Sequence, residues 1–223
     1  PCNPSGSVYS QEELESLAEV LRKHPGIYVV SDEIYEHINF TGEHVSIAAI
    51  EGMYERTITV NGVSKAFAMT GWRIGYIGAP AWIAKATNKL QGQVTSGANS
   101  IAQRATIAAL EAPKSSIQFM IDEFHKRRDL ILGLMAEIPG FKLNVPEGAF
   151  YVFPDVSDYF GRTIQGVKIE NANDFALFLL DKANVATVTG EAFGNNDCIR
   201  ISYAASESEI KEAMSRIKAA VLA

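Results

Sequence analysis

Cysteine is scarce in this chain: Cys2 and Cys198 are the only two among 223 residues, too few for a disulfide framework and without metal-ligand spacing. That argues against the small disulfide-stapled secreted folds and fits a reducing compartment, so a cytoplasmic setting is expected. No apolar run approaches the eighteen or so residues that a membrane helix needs. The opening residues carry no signal-peptide pattern, and no membrane partner is expected. Positive charge is also in short supply: 20 Lys and Arg against 26 Asp and Glu give a net charge of -6, which leaves no basic footprint for nucleic acid. Internal repeats, low-complexity tracts and Gly-X-Gly-X-X-Gly are absent. The histidines, His24, His37, His44 and His125, have neither metal spacing nor a nucleophile partner; they read as surface or structural residues, and no metal is expected. An initiating Met is missing too. Pro1-Cys2-Asn3-Pro4-Ser5-Gly6 reads as the loop after a strand, so the expectation is a fragment of a longer chain.

What is present is an ordinary mixture, 47% hydrophobic and 21% charged, able to bury one large core or two small ones. Ser10-Gln-Glu-Glu13 has the form of a capping box, and Leu14, Leu17, Ala18 and Leu21 keep helical spacing until Pro25-Gly26. The β-branched runs Ile27–Ser31 and Thr57–Asn61, joined by a partly helical connection, predict strands of a parallel sheet covered by helices. Ile74–Ala79 follows too soon for a helical crossover and is expected to run antiparallel. Helices are predicted over 81–91, 99–110 and 115–138, the last ended by Pro139-Gly140. Beyond it, strands are expected at 141–145, 149–153, 185–187 and 198–202, helices at 173–183 and 206–221, and a surface excursion at 161–170. The expected organisation is therefore α/β: part of a large domain over 1–114, mostly a parallel sheet with helices, then a connecting helix over 115–138 and a small α+β domain over 139–223.

In open α/β sheets, ligands bind beyond the carboxyl ends of the strands. Asp32 follows Ile27–Ser31, Lys65 follows Thr57–Asn61, and Asn3 would follow a strand upstream. Each has a plainer reading as well: a helix N-cap for Asp32, a turn residue before Pro4 for Asn3, and surface charges for Lys65 and Arg73. Arg200 interrupts an alternating strand with Ile199 and Ile201 on the opposite face. Trp72 and Phe150 are expected to serve packing.

Taken in order, Asn3-Pro4-Ser5-Gly6, Ser31-Asp32-Glu33-Ile34-Tyr35, Ser64-Lys65 with Arg73, and Ile199-Arg200-Ile201-Ser202-Tyr203 resemble the class I aminotransferases, in the branch of aspartate aminotransferases widespread in bacteria. The likeness spans essentially the whole chain. It implies the fold-type I architecture of enzymes that use pyridoxal 5'-phosphate, with a cofactor domain followed by a small domain. It further implies a homodimer, and transfer of an amino group between an amino acid, aspartate first, and a 2-oxo acid such as 2-oxoglutarate. Lys65 is then the amine that joins the cofactor's aldehyde and afterwards shuttles a proton. Asp32 faces the pyridine nitrogen, Asn3 and Tyr35 bond the ring's phenolic oxygen, Arg73 grips the phosphate, and Arg200, with Asn3, receives the substrate's α-carboxylate. Gly62 stands where some relatives carry a phosphate-binding serine. The glycine-rich phosphate turn, the ring-stacking aromatic and the tyrosine that reaches the other subunit would all lie upstream of Pro1, so the fragment alone is expected to turn over poorly. The alternative is the aminotransferase-like ligand-sensing domain of a transcription regulator.

Overall fold

The computed structural model describes residues 1–42 and 44–223, which divide into two compact units. One holds Pro1 and Val8–Phe119; the other holds Cys2–Ser7 and Met120–Ala223. The division falls inside the long helix that follows Pro113, and the Asn3 loop clusters with the second unit.

In the first unit, helix α1 (Gln11–Arg22) starts at the expected capping box: Glu13 N–H donates to Ser10 Oγ at 3.2 Å, and Ser10 N–H to Glu13 Oε2 at 2.8 Å. Its Leu14 and Ala18 pack on Ile47, Ile50 and Met53. The guanidinium of Arg56 closes the far end by donating to the carbonyls of Leu21 (2.7 Å), His24 and Ile27 (2.9 Å), groups that a helix terminus otherwise leaves unpaired. Strand β1 (Val29–Asp32) pairs parallel with β2 (Thr57–Gly62), Asp32 lying opposite Val60. β2 pairs antiparallel with β3 (Gly75–Gly78), as the short connection requires, with Gly62 opposite Gly75. At Gly62 the strands approach so closely that a Cβ would lie 2.8 Å from the Ile74 carbonyl oxygen. A serine cannot occupy this backbone unless β3 moves away. Helices α2 (Ala81–Val94) and α3 (Ser100–Glu111) follow; Asn99 caps α3 by accepting from the Ile101 and Ala102 amides at 3.0 and 3.1 Å. Ala102 packs on Val63 and Ile74. Trp72, expected to pack, is 45% exposed in this chain; it sits in the 3-10 turn Thr70–Trp72 and lines an open cavity.

The second unit takes the greater part of α4 (Ser115–Ala136) and builds its sheet in the order β4 (Tyr151–Val152), β8 (Ile199–Ser202), β7 (Val188–Thr189), all antiparallel neighbours. Between them lie the hairpin β5 (Thr163–Ile164) and β6 (Val167–Lys168) and helix α5 (Ala172–Phe178); α6 (Glu207–Leu222) closes the chain behind a second capping box, Ser206 with Glu209. Ile131, Met135, Val152, Phe175, Phe178, Ile199, Tyr203, Met214 and Ile217 form one apolar core, and Phe175 stacks on Tyr159 at 4.5 Å.

Three expectations need correction here. The strand at 141–145 is reduced to a single bridge, Lys142 to Asp155; Pro146 supplies no amide to continue a ladder, and Asn144 instead bonds the Ser5 carbonyl at 2.8 Å. The strand at 185–187 begins later, at Val188. Helix α5 runs on through a π turn, Leu179–Ala183, to Asn184 in the left-handed region (φ 53), and the Val185 amide is spent on the Leu179 carbonyl at 3.1 Å. The excursion at 161–170 is the β5–β6 hairpin, held down by buried Ile164 and Ile169 and by a Gln165 bond to the Ala220 carbonyl. The Asn3 loop belongs to this unit for a local reason: the Gly6 carbonyl accepts from both the Glu147 and Gly148 amides at 2.9 Å. Gly6 has φ 71, and a Cβ there would fall 2.4 Å from that of Pro146.

Candidate active site

Lys65 sits in the turn just beyond β2. Val63 and Ala66, both buried, anchor the chain on either side, and the turn closes through Ala68 N–H to the Lys65 carbonyl (3.2 Å) and Met69 N–H to the Val63 carbonyl (3.3 Å). The lysine between them is half-buried and carries its Nζ 5.7 Å from the centre of the Tyr35 ring, within cation–π range. Tyr35 is buried and follows β1 by one turn. Asp32, the last residue of β1, is exposed; its Oδ1 accepts from the Ile34 amide at 3.2 Å. That bond makes a local turn, and no helix starts there, which disposes of the N-cap reading. Parallel pairing of β1 and β2 brings the Asp32 and Lys65 ends of the two strands to the same edge of the sheet.

Arg73 is also exposed. Its backbone is left-handed (φ 56) and its Nη1 donates to the Thr70 carbonyl at 2.9 Å, so the turn that reverses the chain into β3 fixes the stem of the side chain. It lines an open cavity of about 1210 Å³ with Asn61, Trp72 and Tyr76; Lys65, Asp32 and Tyr35 do not line it.

Within the second unit the structure joins two of the predicted residues: Arg200 Nη1 donates to Asn3 Oδ1 at 2.8 Å. The guanidinium lies between two rings, with its carbon 4.6 Å from the centre of Tyr151 and 4.9 Å from that of Phe193. Its Nε is buried and has no hydrogen-bond partner among the described residues. Orphaned buried donors are uncommon and cost about 1–3 kcal/mol each. A flat guanidinium within cation–π range of two rings, tied at one nitrogen and unsatisfied at another, is set up for a planar oxyanion such as a carboxylate.

Tyr151 and Phe193 were not among the predicted site residues. Tyr151 was partly legible: β4 places it directly opposite Ser202, diagonal to Arg200 on the same face. Phe193 had no signal, because the turn that presents it closes around Gly190, where a Cβ would meet the Asn195 carbonyl oxygen at 2.1 Å. Phe150 packs as expected, stacking on Phe124 at 5.2 Å.

Sequence reasoning also passed over Glu33. It is buried, and its carboxylate accepts from Ser46 Oγ (2.7 Å) and Ser31 Oγ (2.9 Å) and pairs with His44 Nε2 (2.9 Å). Burial alone would raise its pKa; the bonds from His44, Ser46 and Ser31 together outweigh that and hold it below the ordinary value. His44 is thus a partly buried structural partner.

The profile described as "Aminotransferase class I and II" matches residues 1–217. The bifunctional aspartate aminotransferase and glutamate/aspartate-prephenate aminotransferase of Petunia hybrida is 50% identical over 227 residues, covering 100% of this chain and 47% of its own length. An aspartate aminotransferase of Rhizobium meliloti (strain 1021) is 47% identical, over 99% of this chain and 54% of that protein. Among solved structures, the aspartate aminotransferase from Rhizobium meliloti superposes with a TM-score of 0.95 at 45% identity, covering 99% of this chain and 56% of that one. The aromatic aminotransferase from Pyrococcus horikoshii gives 0.89 at 39% identity, over 98% and 57%. The chain thus spans about half the length of the relatives it matches. All four are named as aminotransferases, and nothing in them favours the regulator reading. With the four motifs in order, the mixed α/β fold of its structural neighbours, and a profile that runs nearly end to end, the chain belongs to the aminotransferase class I and II family.

Proposed function

We propose that the protein is an aminotransferase that uses pyridoxal 5'-phosphate to move an amino group between an amino acid, aspartate first, and a 2-oxo acid such as 2-oxoglutarate. It would act as a cytoplasmic homodimer, with the first unit belonging to the cofactor domain and the second to the small domain. The observation that carries this reading is Arg200: a guanidinium within cation–π range of two rings, whose buried Nε has no partner among the described residues, suits the α-carboxylate common to amino and 2-oxo acids.

The residues also suit the cofactor. A half-buried primary amine at the end of a strand matches an aldehyde, the carboxylate of Asp32 at the same sheet edge matches a protonated ring nitrogen, and the guanidinium of Arg73 matches a phosphate. When bound, pyridoxal 5'-phosphate supplies the aldehyde and an electron-accepting ring. Lys65 Nζ would hold the cofactor through its aldehyde and, when free, would carry a proton to and from the substrate carbon. Asp32 keeps the ring nitrogen protonated. Tyr35 donates from its hydroxyl to the phenolic oxygen. Arg73 would anchor the phosphate, and Gly62 offers no hydroxyl to add to that grip. Arg200 would receive the α-carboxylate, its guanidinium steadied by Asn3 Oδ1, which accepts from Nη1.

The test is chemical. Borohydride reduction of the full-length protein with its cofactor, followed by peptide mapping, should place the added mass on Lys65, and Lys65→Ala should abolish both the label and the visible absorption band. A label on another lysine, or an unchanged band in the variant, contradicts the assignment.

A further inference from the structure

We propose that Glu33 is a positioning residue for this site: its buried carboxylate ties the end of β1, and with it Asp32 and Tyr35, to the segment 44–46. The inference rests on the roles given above to Asp32 and Tyr35, and it goes beyond them to a residue that touches neither cofactor nor substrate.

Successive side chains along a strand point to opposite faces. Asp32 accordingly faces out while Glu33, next in the chain, is 5% exposed. Every polar group of Glu33 is engaged. Its amide donates to the Val60 carbonyl at 2.8 Å, extending the β1–β2 ladder by one residue, and its carbonyl accepts from the Glu36 amide at 2.9 Å, starting the turn that carries Tyr35. Oε1 accepts from Ser31 and Ser46, and Oε2 pairs with His44. Ser31 and Glu33 flank Asp32, so their bond to each other closes a clasp around it. The far anchor is firm: Ser46 also caps the turn Ile47–Ala49 by accepting from the Ala48 amide at 3.2 Å, and Ile47 lies in the apolar cluster with Leu14 and Met53.

The other charged groups nearby do not take over this task. Glu36 shares the turn, but its Oε1 is occupied by Asn61 Nδ2 at 2.8 Å and by His37 at 3.3 Å. Glu33, Glu36 and His44 bring ligand atoms within 4.8 Å of one another; both oxygens of Glu33 and Oε1 of Glu36 are already engaged by hydroxyl, amide and imidazole groups. A glutamine at 33 keeps the shape but loses the charge and turns one of the two acceptor oxygens into an NH2 group, so it can no longer accept from all three partners and the clasp is weakened.

The experiment compares the full-length protein with its Glu33→Gln, Glu33→Asp and Ser46→Ala variants, each reconstituted with pyridoxal 5'-phosphate. The readouts are the pH midpoint of the visible band, the cofactor Kd and the melting temperature. Displacing Asp32 and Tyr35 should move the midpoint of Glu33→Gln by about half a pH unit or more and raise the cofactor Kd about tenfold, a change of about 1.4 kcal/mol in binding. Glu33→Asp, which keeps the charge, should restore part of both. Ser46→Ala removes one of the carboxylate's bonds and should shift both readouts in the same direction by less, which keeps the test alive if Glu33→Gln does not fold. Midpoints and Kd values equal to the parent's, with only the melting temperature lowered, would overturn the proposal and leave Glu33 a packing residue. A parent protein without any visible band overturns instead the reading of the site on which it rests.

Discussion

Replacing Arg200 by lysine isolates the guanidinium's geometry from its charge. The native side chain lies 4.6 and 4.9 Å from two ring centres, bonds Asn3 at 2.8 Å, and has a buried Nε without a partner among the described residues. A carboxylate docking against Nε and Nη2 would make two charge-assisted bonds and satisfy the orphan. Lysine retains the positive charge and one bond but loses the fork. The loss is one charge-assisted hydrogen bond, about 1.5–3 kcal/mol, with a smaller share from stacking, about 0.5–1 kcal/mol. Together, about 2–4 kcal/mol corresponds to a roughly 30- to 900-fold fall in kcat/KM. The assay is steady-state transamination by the full-length protein with aspartate, aromatic amino acids and alanine as donors, alongside visible absorbance for bound cofactor. The fall should be similar for every donor, because all share the α-carboxylate, and cofactor should stay bound. A kcat/KM within about threefold of the parent, or loss of cofactor with normal substrate affinity, would refute the clamp.

Gly62→Ser should destabilise the chain by about 1–3 kcal/mol, the usual cost of forcing extra atoms into a packed site, since its Cβ would press on the Ile74 carbonyl 2.8 Å away; a denaturant midpoint equal to the parent's would show that β3 yields freely. A thiol reagent at neutral pH should modify exposed Cys2 and spare Cys198, whose thiol is pushed up to about 11 by burial and by Asp155 and Asp197. Because the folded thiol binds its proton more tightly than the unfolded one, its contribution to stability is complete below about pH 9 and disappears as pH rises towards 11. Two modified thiols in the native protein, or stability flat across that alkaline range, would contradict the burial.

Much of the fold was legible because the signals were local. The Ser10–Glu13 and Ser206–Glu209 boxes mark where helices begin, since each supplies partners to amides that a helix start leaves unpaired. The short link from Asn61 to Ile74 forced an antiparallel third strand. The strand at 185–187 was misplaced because the Val185 amide is claimed by Leu179, a bond that depends on a π turn no periodicity reveals.

The sequence by itself determined which chemical groups the chain owns and in what order: an amine after one strand, a carboxylate after another, and arginines at 73 and 200. Those follow from residue identity and short-range spacing. Only the tertiary structure decided that Arg200 lies between Tyr151 and Phe193 and bonds Asn3, that Gly62 admits no side chain, and that a buried Glu33 clasps His44 and Ser46. These are contacts between residues distant in the chain or on opposite faces of a strand. Packing selects them, and no local pattern encodes which pairs will meet.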